Sequence, residues 1–297
     1  MPSERIRDDR QLSSAPFDPT CVAQNSEAKR AFGAMKTPQP LRLGAAERLS
    51  RIDGILEAAY GTPEAELGNK DDPLDEAIYI ILSFQTELRR FSSTWSALRV
   101  AFPNWAALEH APARKIARVI RGGGLHRQKA RTIKQLIFSV RRIVGELSLD
   151  LLRKMNNADA ELFLTRLPGL SWKAARCVLL YSLNRDVFPV DGNTFRIFKR
   201  LGILSRHAVY RRRALHDALQ SIVPTARRRA LHVNLVVHGK RICLPRAPKC
   251  PECPLVPMCA RVGLQGMTAP NASARSRGML CAAQLIEHSA GRPRARI

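Results

Sequence analysis

The segment DAELFLTRLPGLSWKAARCVLLYSL (residues 159–183) joins two stretches with helical spacing of apolar residues through a Pro-Gly turn. Similar helical patterns, separated by turn signals, extend from about residue 45 to residue 240. The alternation of apolar and polar residues that is typical of strands is nearly absent. We therefore predict an all-α fold.

The turn in this segment, Leu167-Pro168-Gly169-Leu170-Ser171, is a candidate phosphate-binding hairpin. A tight hairpin between helices exposes consecutive backbone N–H groups, and the N-terminus of the second helix adds a partial positive charge. Together these groups can bind a DNA phosphate without reading the base sequence. The alternative is a turn that only connects two helices, and the turn by itself does not separate the two.

Lys173 and Asp191 are the candidate reactive residues. If Ser171 caps the second helix, Lys173 lies in its first turn, where the helix dipole favours the neutral amine over the cation. A neutral amine beside bound DNA suits Schiff-base chemistry, whereas a charged lysine would be a solvent-facing phosphate contact. Asp191 follows an apolar Phe-Pro-Val run and precedes a glycine, which predicts a helix N-cap. Spacing alone does not separate a cap from a catalytic carboxylate.

Four cysteines, spaced C-x6-C-x2-C-x5-C, are candidate ligands of one inorganic centre: Cys243, Cys250, Cys253 and Cys259. The chain has no apolar run near the roughly 20 residues that span a bilayer, and its N-terminus lacks the apolar stretch of a signal peptide. We therefore expect a cytoplasmic, nucleoid-associated protein in which C-x2-C binds metal. The spacing leaves both structural zinc and an iron–sulfur cluster open.

The formal net charge of +24 indicates a polyanionic partner. Residues 1–43 hold 7 basic and 5 acidic side chains and residues 263–297 hold 5 and 1, so residues 44–262 carry +18. This distribution favours a DNA-binding face over a basic tail, with a solubilising surface excess as the alternative. The arginine runs 211–213 and 227–229 are candidate phosphate contacts, and solvated helix faces are an equal alternative.

The hairpin, Lys173, Asp191 and the four cysteines occur in the order and spacing of the endonuclease III group of helix-hairpin-helix DNA glycosylases. The chain resembles this family from about residue 45 to residue 262. The resemblance implies that the cysteines hold a [4Fe-4S] cluster and that Lys173 is the nucleophile that attacks C1′ of the damaged nucleotide. It also implies that Asp191 is the carboxylate that assists departure of the base.

The same resemblance implies the residues that contact DNA and the domain organisation. Gln85 would fill the gap left by the extruded base, Leu125 would intercalate, and the hairpin residues Leu167, Gly169 and Ser171 would bind DNA. A six-helix lobe at 65–185 and a cluster lobe at 44–64 with 186–262 would flank a DNA-binding cleft. Residues 1–43 and 263–297 lack periodicity and are predicted to be a disordered extension and a disordered basic tail.

The chain departs from the family pattern at three places. Ser171 replaces a hairpin glycine, Gly192-Asn193 replaces the common Thr-His, and residues 126–128 differ from the usual loop. The second departure resembles the adenine-specific MutY branch. That branch uses a glutamate where this chain has Ile80, and Glu76 is too far back to match.

The sequence therefore predicts a monomeric bifunctional DNA glycosylase/AP lyase that acts on double-stranded DNA with damaged bases or abasic sites. Oxidised pyrimidines are the expected damage, and no membrane partner is expected. The alternatives are a MutY-like monofunctional mismatch glycosylase, a non-catalytic iron–sulfur DNA-binding protein and a zinc-stabilised scaffold.

Overall fold

A computed structural model describes residues 41–64, 67–205 and 207–264 of the chain. The prediction of an all-α fold is confirmed, because the described residues form α-helices and short 3₁₀ turns with no strand longer than one isolated bridge. The α-helices of this described part are α1 (Ala45–Tyr60), α2 (Pro73–Ser83), α3 (Leu88–Ala101), α4 (Trp105–His110), α5 (Ala113–Val119), α6 (His126–Val144), α7 (Asn157–Thr165), α8 (Trp172–Ser182), α9 (Gly192–Leu201), α10 (Arg213–Ile222) and α11 (Arg228–Arg241).

Short polar side chains begin several of these helices. The Asp72 carboxylate accepts a hydrogen bond from Asp75 N at 2.8 Å, and Pro73 occupies the first position of α2. Asn156 caps α7 in the same way through Asp159 N at 3.0 Å. Because each cap depends on residues within one turn, these helix starts follow from local sequence.

The chain divides into two compact units, of which the first comprises Lys70–Ser171 within the described residues. Helix α2 is buried on nearly all sides, and Ile78 and Ile81 are almost fully excluded from solvent. Helix α6 contributes Ile133 and Leu136 to the same unit, and it packs against α5, α4 and α2. Each such side chain contributes about 1.5–3 kcal/mol on burial.

The second unit contains residues 41–64, 67–69 and the described part of 172–264. Helix α1 packs on α10 and α11, and α11 also packs on α9, around a core that includes Leu49, Ile52 and Phe198. The predicted lobes change at 65 and 185, whereas the compact units change after Asn69 and Ser171, so α8 lies in this second unit. Helix α8 is held there by the buried Arg176, which donates to Asp217 of α10.

Residues 41–43 of the predicted disordered extension and residues 263–264 of the predicted disordered tail belong to the described structure. In the tail, Leu264 N donates to Arg261 O at 3.0 Å. Leu41 pairs with Leu204 in an antiparallel bridge, and Arg42 N donates to Ile203 O at 2.9 Å. The extension predicted to be disordered therefore ends before Leu41 at the latest. Residues 1–40 and 265–297, where the rest of the two disorder predictions falls, lie outside the described residues. Within the described residues, no helix combines the length and apolarity needed to cross a bilayer.

Candidate functional site

The predicted hairpin is a tight turn between α7 and α8 that requires glycine at its centre. Gly169 has φ 82°, a left-handed conformation that L side chains rarely adopt. A Cβ at this position would lie 2.3 Å from Thr132 Cγ2 and 3.2 Å from Ile81 Cδ1. Leu167 and Leu170 anchor the turn because both side chains are buried. Ser171 is exposed and directly precedes α8, so Lys173 lies in the first turn of this helix as predicted.

The structure confirms that Asp191 caps α9. One carboxylate oxygen accepts from Thr194 N at 2.7 Å, and the other accepts from Asn193 Nδ2 at 2.8 Å. Burial opposes ionisation of Asp191, but the charges of His232 and Lys173 and these two hydrogen bonds together hold its pKa below the ordinary value. Asp191 is therefore ionised near neutral pH, and it lies close enough to Lys173 to interact with it electrostatically.

His232 lies beside Asp191 and is buried. Burial lowers the pKa of His232 to about 4, although the charge of Asp191 opposes that fall. The imidazole is consequently neutral at pH 7. Lys173 is then the cationic group that stabilises the ionised Asp191 at physiological pH.

A hydrogen-bonded connection runs from Asp191 to the cysteine segment. Asn193 Oδ1 accepts from Arg196 Nη2 at 2.9 Å while its amide group donates to Asp191. Arg196 also donates to Gly239 O at 2.9 Å and, through Nε, to Cys243 O at 3.0 Å. Gly239 permits this approach because a Cβ there would lie 2.6 Å from Asn193 Cβ. Asn193, which departs from the family pattern, is therefore accommodated by its contacts with Arg196 and Gly239. The spacing of residues in the sequence does not show these contacts.

The four cysteines, Cys243, Cys250, Cys253 and Cys259, line one small cavity. Arg200 Nη1 donates to Cys243 Sγ at 3.2 Å and to Leu244 O at 2.7 Å. His238 Nε2 lies 3.7 Å from Cys253 Sγ, and its other ring nitrogen contacts the Tyr60 hydroxyl at 2.8 Å. A guanidinium donor suits a negatively charged thiolate ligand better than a neutral thiol.

The four thiols surround one space. Structural zinc binds four cysteines, with ligands about 2.3 Å from the ion, and a [4Fe-4S] cluster also binds four thiolates. The donor set of the cavity therefore suits either centre.

Gln85 and Leu125 lie in the first unit, in two loops with unusual backbone conformations. Gln85 has φ 50° and Leu125 has φ 47°, so both are non-glycine residues in the left-handed region. Both side chains are exposed, Leu125 by 46%. Strained backbone of this kind persists where the surrounding structure holds it and is common at functional sites. The conformation of both loops fits the predicted insertion into DNA.

Lys129 joins these two loops and was not predicted to be a functional residue. Its Nζ donates to Leu82 O at 2.7 Å, to Gly123 O at 2.8 Å and to the Thr86 hydroxyl. The ammonium group has three donors, so these three acceptors satisfy it completely. Lys129 is buried, and burial lowers its pKa to about 8. In the sequence, Lys129 stands out only because it falls on an otherwise apolar face of α6.

The arginine run 227–229 was a candidate phosphate contact, with a solvated helix face as the alternative, and the structure gives its side chains partners within the protein. Arg227 is paired with Asp53 and Glu57, and Arg229 is paired with Glu64. Arg228 donates to backbone carbonyls such as Gln220 O at 2.9 Å. These side chains join elements of the second unit, so their charges are used within the protein.

The arginine run 211–213 is divided between two environments. Arg213 pairs with Asp217 at 3.3 Å and stacks over the Trp172 ring, 4.7 Å from its centroid. Arg211 and Arg212 are exposed and keep their status as candidates.

The glutamate expected of the MutY branch has no counterpart in α2. Ile80 is buried in the core, and the buried Glu76 accepts from Lys70 N at 2.7 Å. Glu76 therefore anchors the start of the first unit through a main-chain group.

Residues 78–221 match the HhH-GPD superfamily of base excision DNA repair proteins. The match includes the hairpin, Lys173, Asp191, Gln85 and Leu125, and it ends before the four cysteines. The matched residues make up just under half of the chain. The resemblance to endonuclease III-like helix-hairpin-helix proteins is confirmed.

Two relatives agree with the HhH-GPD match. An Arabidopsis thaliana protein named "Putative DNA glycosylase" is 30% identical over 174 residues, which are 59% of this chain and 58% of that protein. Endonuclease III of Sulfolobus acidocaldarius is 29% identical over 141 residues, 48% of this chain and 60% of that protein. The chain thus spans less than two thirds of the length of these relatives.

A solved structure also shares the fold of this chain. A trapped covalent intermediate of endonuclease III with DNA matches this chain with a TM-score of 0.63 at 22% identity. The match covers 73% of this chain and 96% of the endonuclease III chain. At this identity, the similarity establishes the fold.

Proposed function

We propose that this HhH-GPD protein is a base-excision-repair DNA glycosylase with AP lyase activity. The observation that carries the proposal is the proximity of Lys173, in the first turn of α8, to the ionised Asp191 at the N-terminus of α9. A lysine nucleophile and a fixed carboxylate are the two groups that this chemistry requires. The relatives named as a DNA glycosylase and as endonuclease III support the same substrate class.

In the proposed reaction, Lys173 first loses its proton to solvent, and its neutral amine then attacks C1′ as the bond from C1′ to the base breaks. The base leaves with the bonding electrons and takes up a proton, and opening of the sugar gives a Schiff base between Nζ and C1′. Loss of a C2′ proton and cleavage of the C3′–O bond then break the strand on the 3′ side. Hydrolysis of the Schiff base regenerates the lysine.

Asp191 acts in this proposal as a fixed negative charge. Its pKa is held low, so it is a poor acceptor for the proton of Lys173 at neutral pH. The carboxylate instead stabilises the positive charge that develops on the sugar as the base departs. Thr194 N and Asn193 Nδ2 hold it in one orientation, so no reorganisation is needed during the step.

The DNA partner and the damage class belong to the same proposal. Gln85 and Leu125 would occupy the space left by the extruded nucleotide, which offsets part of the few kcal/mol that extrusion costs. The main chain of the 167–171 hairpin and the N-terminus of α8 would bind a phosphate. The preference for oxidised pyrimidines rests on the resemblance to endonuclease III.

We also propose that the four cysteines hold a [4Fe-4S] cluster. The donor set consists only of thiols around one space, and Arg200 and His238 contact two of the sulfurs. When bound, such a cluster would organise the proline-rich loop 243–259. Purified protein should absorb near 400 nm and contain iron, whereas zinc with no such absorbance would support the zinc-stabilised scaffold.

Borohydride trapping tests the lyase proposal. Protein and a duplex with one abasic site are mixed with borohydride, which reduces a Schiff base to a stable adduct. The parent and the control Lys199→Gln, an exposed lysine of α9, should both form the adduct, and Lys173→Gln should form none. The proposal would be refuted if the parent formed no adduct, or if Lys173→Gln formed as much adduct as the parent.

A monofunctional mismatch glycosylase is the second candidate, and Asn193 at a position where the family commonly has histidine is the observation that favours it. It predicts base release from a mismatch without any trapped adduct. Mixtures of protein, borohydride and a mismatched duplex distinguish it from the lyase, because free base and adduct are measured separately. A non-catalytic DNA-binding protein would give neither product.

A further inference from the structure

A groove between α5 and α6 in the first unit carries an unusual concentration of positive charge. Its volume is about 670 Å³, and no acidic side chain lines it. The polar side chains that line the groove are five arginines and one histidine: Arg114, Arg118, Arg121, His126, Arg127 and Arg131. We call this feature the arginine groove.

The arginines of the groove have few partners within the protein, and the hydrogen bond of Arg131 Nε to Arg127 O spans 3.4 Å. All five are exposed, and within the described part of the chain none forms an ion pair. Elsewhere in the same unit, Arg141 pairs with Glu109 and Arg153 pairs with Asp150. Five like charges around one groove repel each other, so the groove raises the energy of the isolated protein unless an anion binds there.

Two further features favour a phosphate as the occupant. Helix α6 begins at His126 on the groove wall, and a helix of 19 residues places partial positive charge at its N-terminus. The adjacent loop carries Gly122 and Gly124, both exposed, and no atom lies within 4 Å of a Cβ built on Gly124. A phosphate backbone can therefore approach the main chain closely. Guanidinium groups also bind phosphate oxygens in a bidentate manner.

We propose that the arginine groove binds backbone phosphates of duplex DNA beside the Leu125 loop, independently of base sequence. The proposal rests on the proposed function for the identity of the polyanion. Leu125 directly precedes His126, so a duplex in which Leu125 inserts places its phosphates next to the groove. The contacts add affinity for undamaged DNA and do not take part in the chemical step.

The test compares two triple variants that each remove three positive charges from exposed side chains. Arg114→Gln/Arg118→Gln/Arg121→Gln neutralises part of the groove, and Arg142→Gln/Arg153→Gln/Lys154→Gln neutralises exposed charge elsewhere in the unit. Binding of an undamaged duplex is measured by fluorescence anisotropy between 50 and 300 mM salt. Each phosphate contact contributes about 0.9 to the slope of log affinity against log salt concentration.

The groove variant should show a slope shallower by about 2 to 3 and roughly 100-fold weaker binding at 0.1 M salt. The control should change the slope by less than about 1 because its charges contact no phosphate. Equal slopes for the two variants would overturn the proposal. Binding of RNA or of an acidic protein to the groove would not rescue it, because the proposed ligand is duplex DNA. Borohydride trapping at saturating protein should be equal in the parent and the groove variant. If only the groove variant has a shallower slope but neither the parent nor the variants form a trapped adduct, the proposal for the groove stands and only the lyase proposal is refuted.

Discussion

Replacing Lys129 by Met should weaken the link between the two loops that carry Gln85 and Leu125 without unfolding the protein. The Lys129 ammonium joins Leu82 O and Thr86 on one side to Gly123 O on the other. Methionine fills a similar volume and cannot donate a hydrogen bond. The substitution therefore removes these three hydrogen bonds, and the bond from the Thr86 hydroxyl to Gly123 O remains as the link between the loops. The packing of α6 should be largely unchanged.

Two opposing free-energy terms determine the stability of the Lys129→Met variant. The fall in the pKa of Lys129 from 10.5 to about 8 means that burying the ammonium costs about 3 kcal/mol, which the variant recovers. Against this, Leu82 O and Gly123 O lose a donor, and an unsatisfied buried acceptor costs about 1–3 kcal/mol. The Thr86 hydroxyl still donates to Gly123 O, which reduces the loss. The net change at pH 7 is therefore expected to be within about 2 kcal/mol.

The pH dependence of stability separates the charge term from the packing term. Because the folded-state pKa is depressed, the unfolded chain binds more protons between pH 8 and pH 10.5. The stability contributed by Lys129 therefore rises with pH through this window, by up to about 3 kcal/mol. Urea unfolding at pH 8 and pH 10 should show the rise in the parent and a smaller rise in Lys129→Met.

The functional effect is measured as the ratio of affinities for a duplex with a tetrahydrofuran abasic analogue and for the intact duplex. Lys129→Met should lower this ratio about tenfold, because about 1.4 kcal/mol of loop insertion is lost. Lys134→Met is the matched control. That lysine of α6 donates to Glu109 O at 2.9 Å and to Ala111 O, away from both loops. An unchanged ratio in Lys129→Met, or an equal fall in both variants, would refute this reasoning.

Three further predictions concern other parts of the molecule. Asn193→Ala removes a donor to ionised Asp191, so the pKa of Asp191 should rise, and single-turnover trapping should slow more at pH 5.5 than at pH 8; a parallel loss at both values would contradict the positioning role. Burial and then Arg176 lower the pKa of His216 to about 4, so urea unfolding should show up to about 3 kcal/mol of stability lost as the pH falls from 6.5 to 4, and less in His216→Gln. Gly169→Ala should lower the free energy of unfolding by more than about 2 kcal/mol, because the new Cβ meets Thr132 Cγ2 and the residue must keep a positive φ. Adding Thr132→Ser removes that methyl group and should restore the steric part of the loss, while the cost of the positive φ remains.

Much of the chemistry could be predicted from the sequence because it depends on neighbouring residues. Helix periodicity predicted the all-α fold, and the residues around Ser171 and Asp191 predicted where α8 and α9 begin. A cap or a first-turn position is determined within about four residues. Lys173 was therefore placed in its first turn, and Asp191 at its helix start, before any tertiary contact was considered.

The roles of the charged residues were decided only by the tertiary structure. The run 227–229 and the groove arginines look alike as sequence, yet Arg227 pairs with Asp53, 174 positions away, while Arg118 lines an open groove. Likewise, the connection from Asp191 through Asn193 to Arg196 runs within α9 and its cap, and it reaches α11 only where Arg196 donates to Gly239 O. An ion pair depends on which helices pack together. The separation of two residues along the chain does not predict that packing, so it does not predict their distance in space.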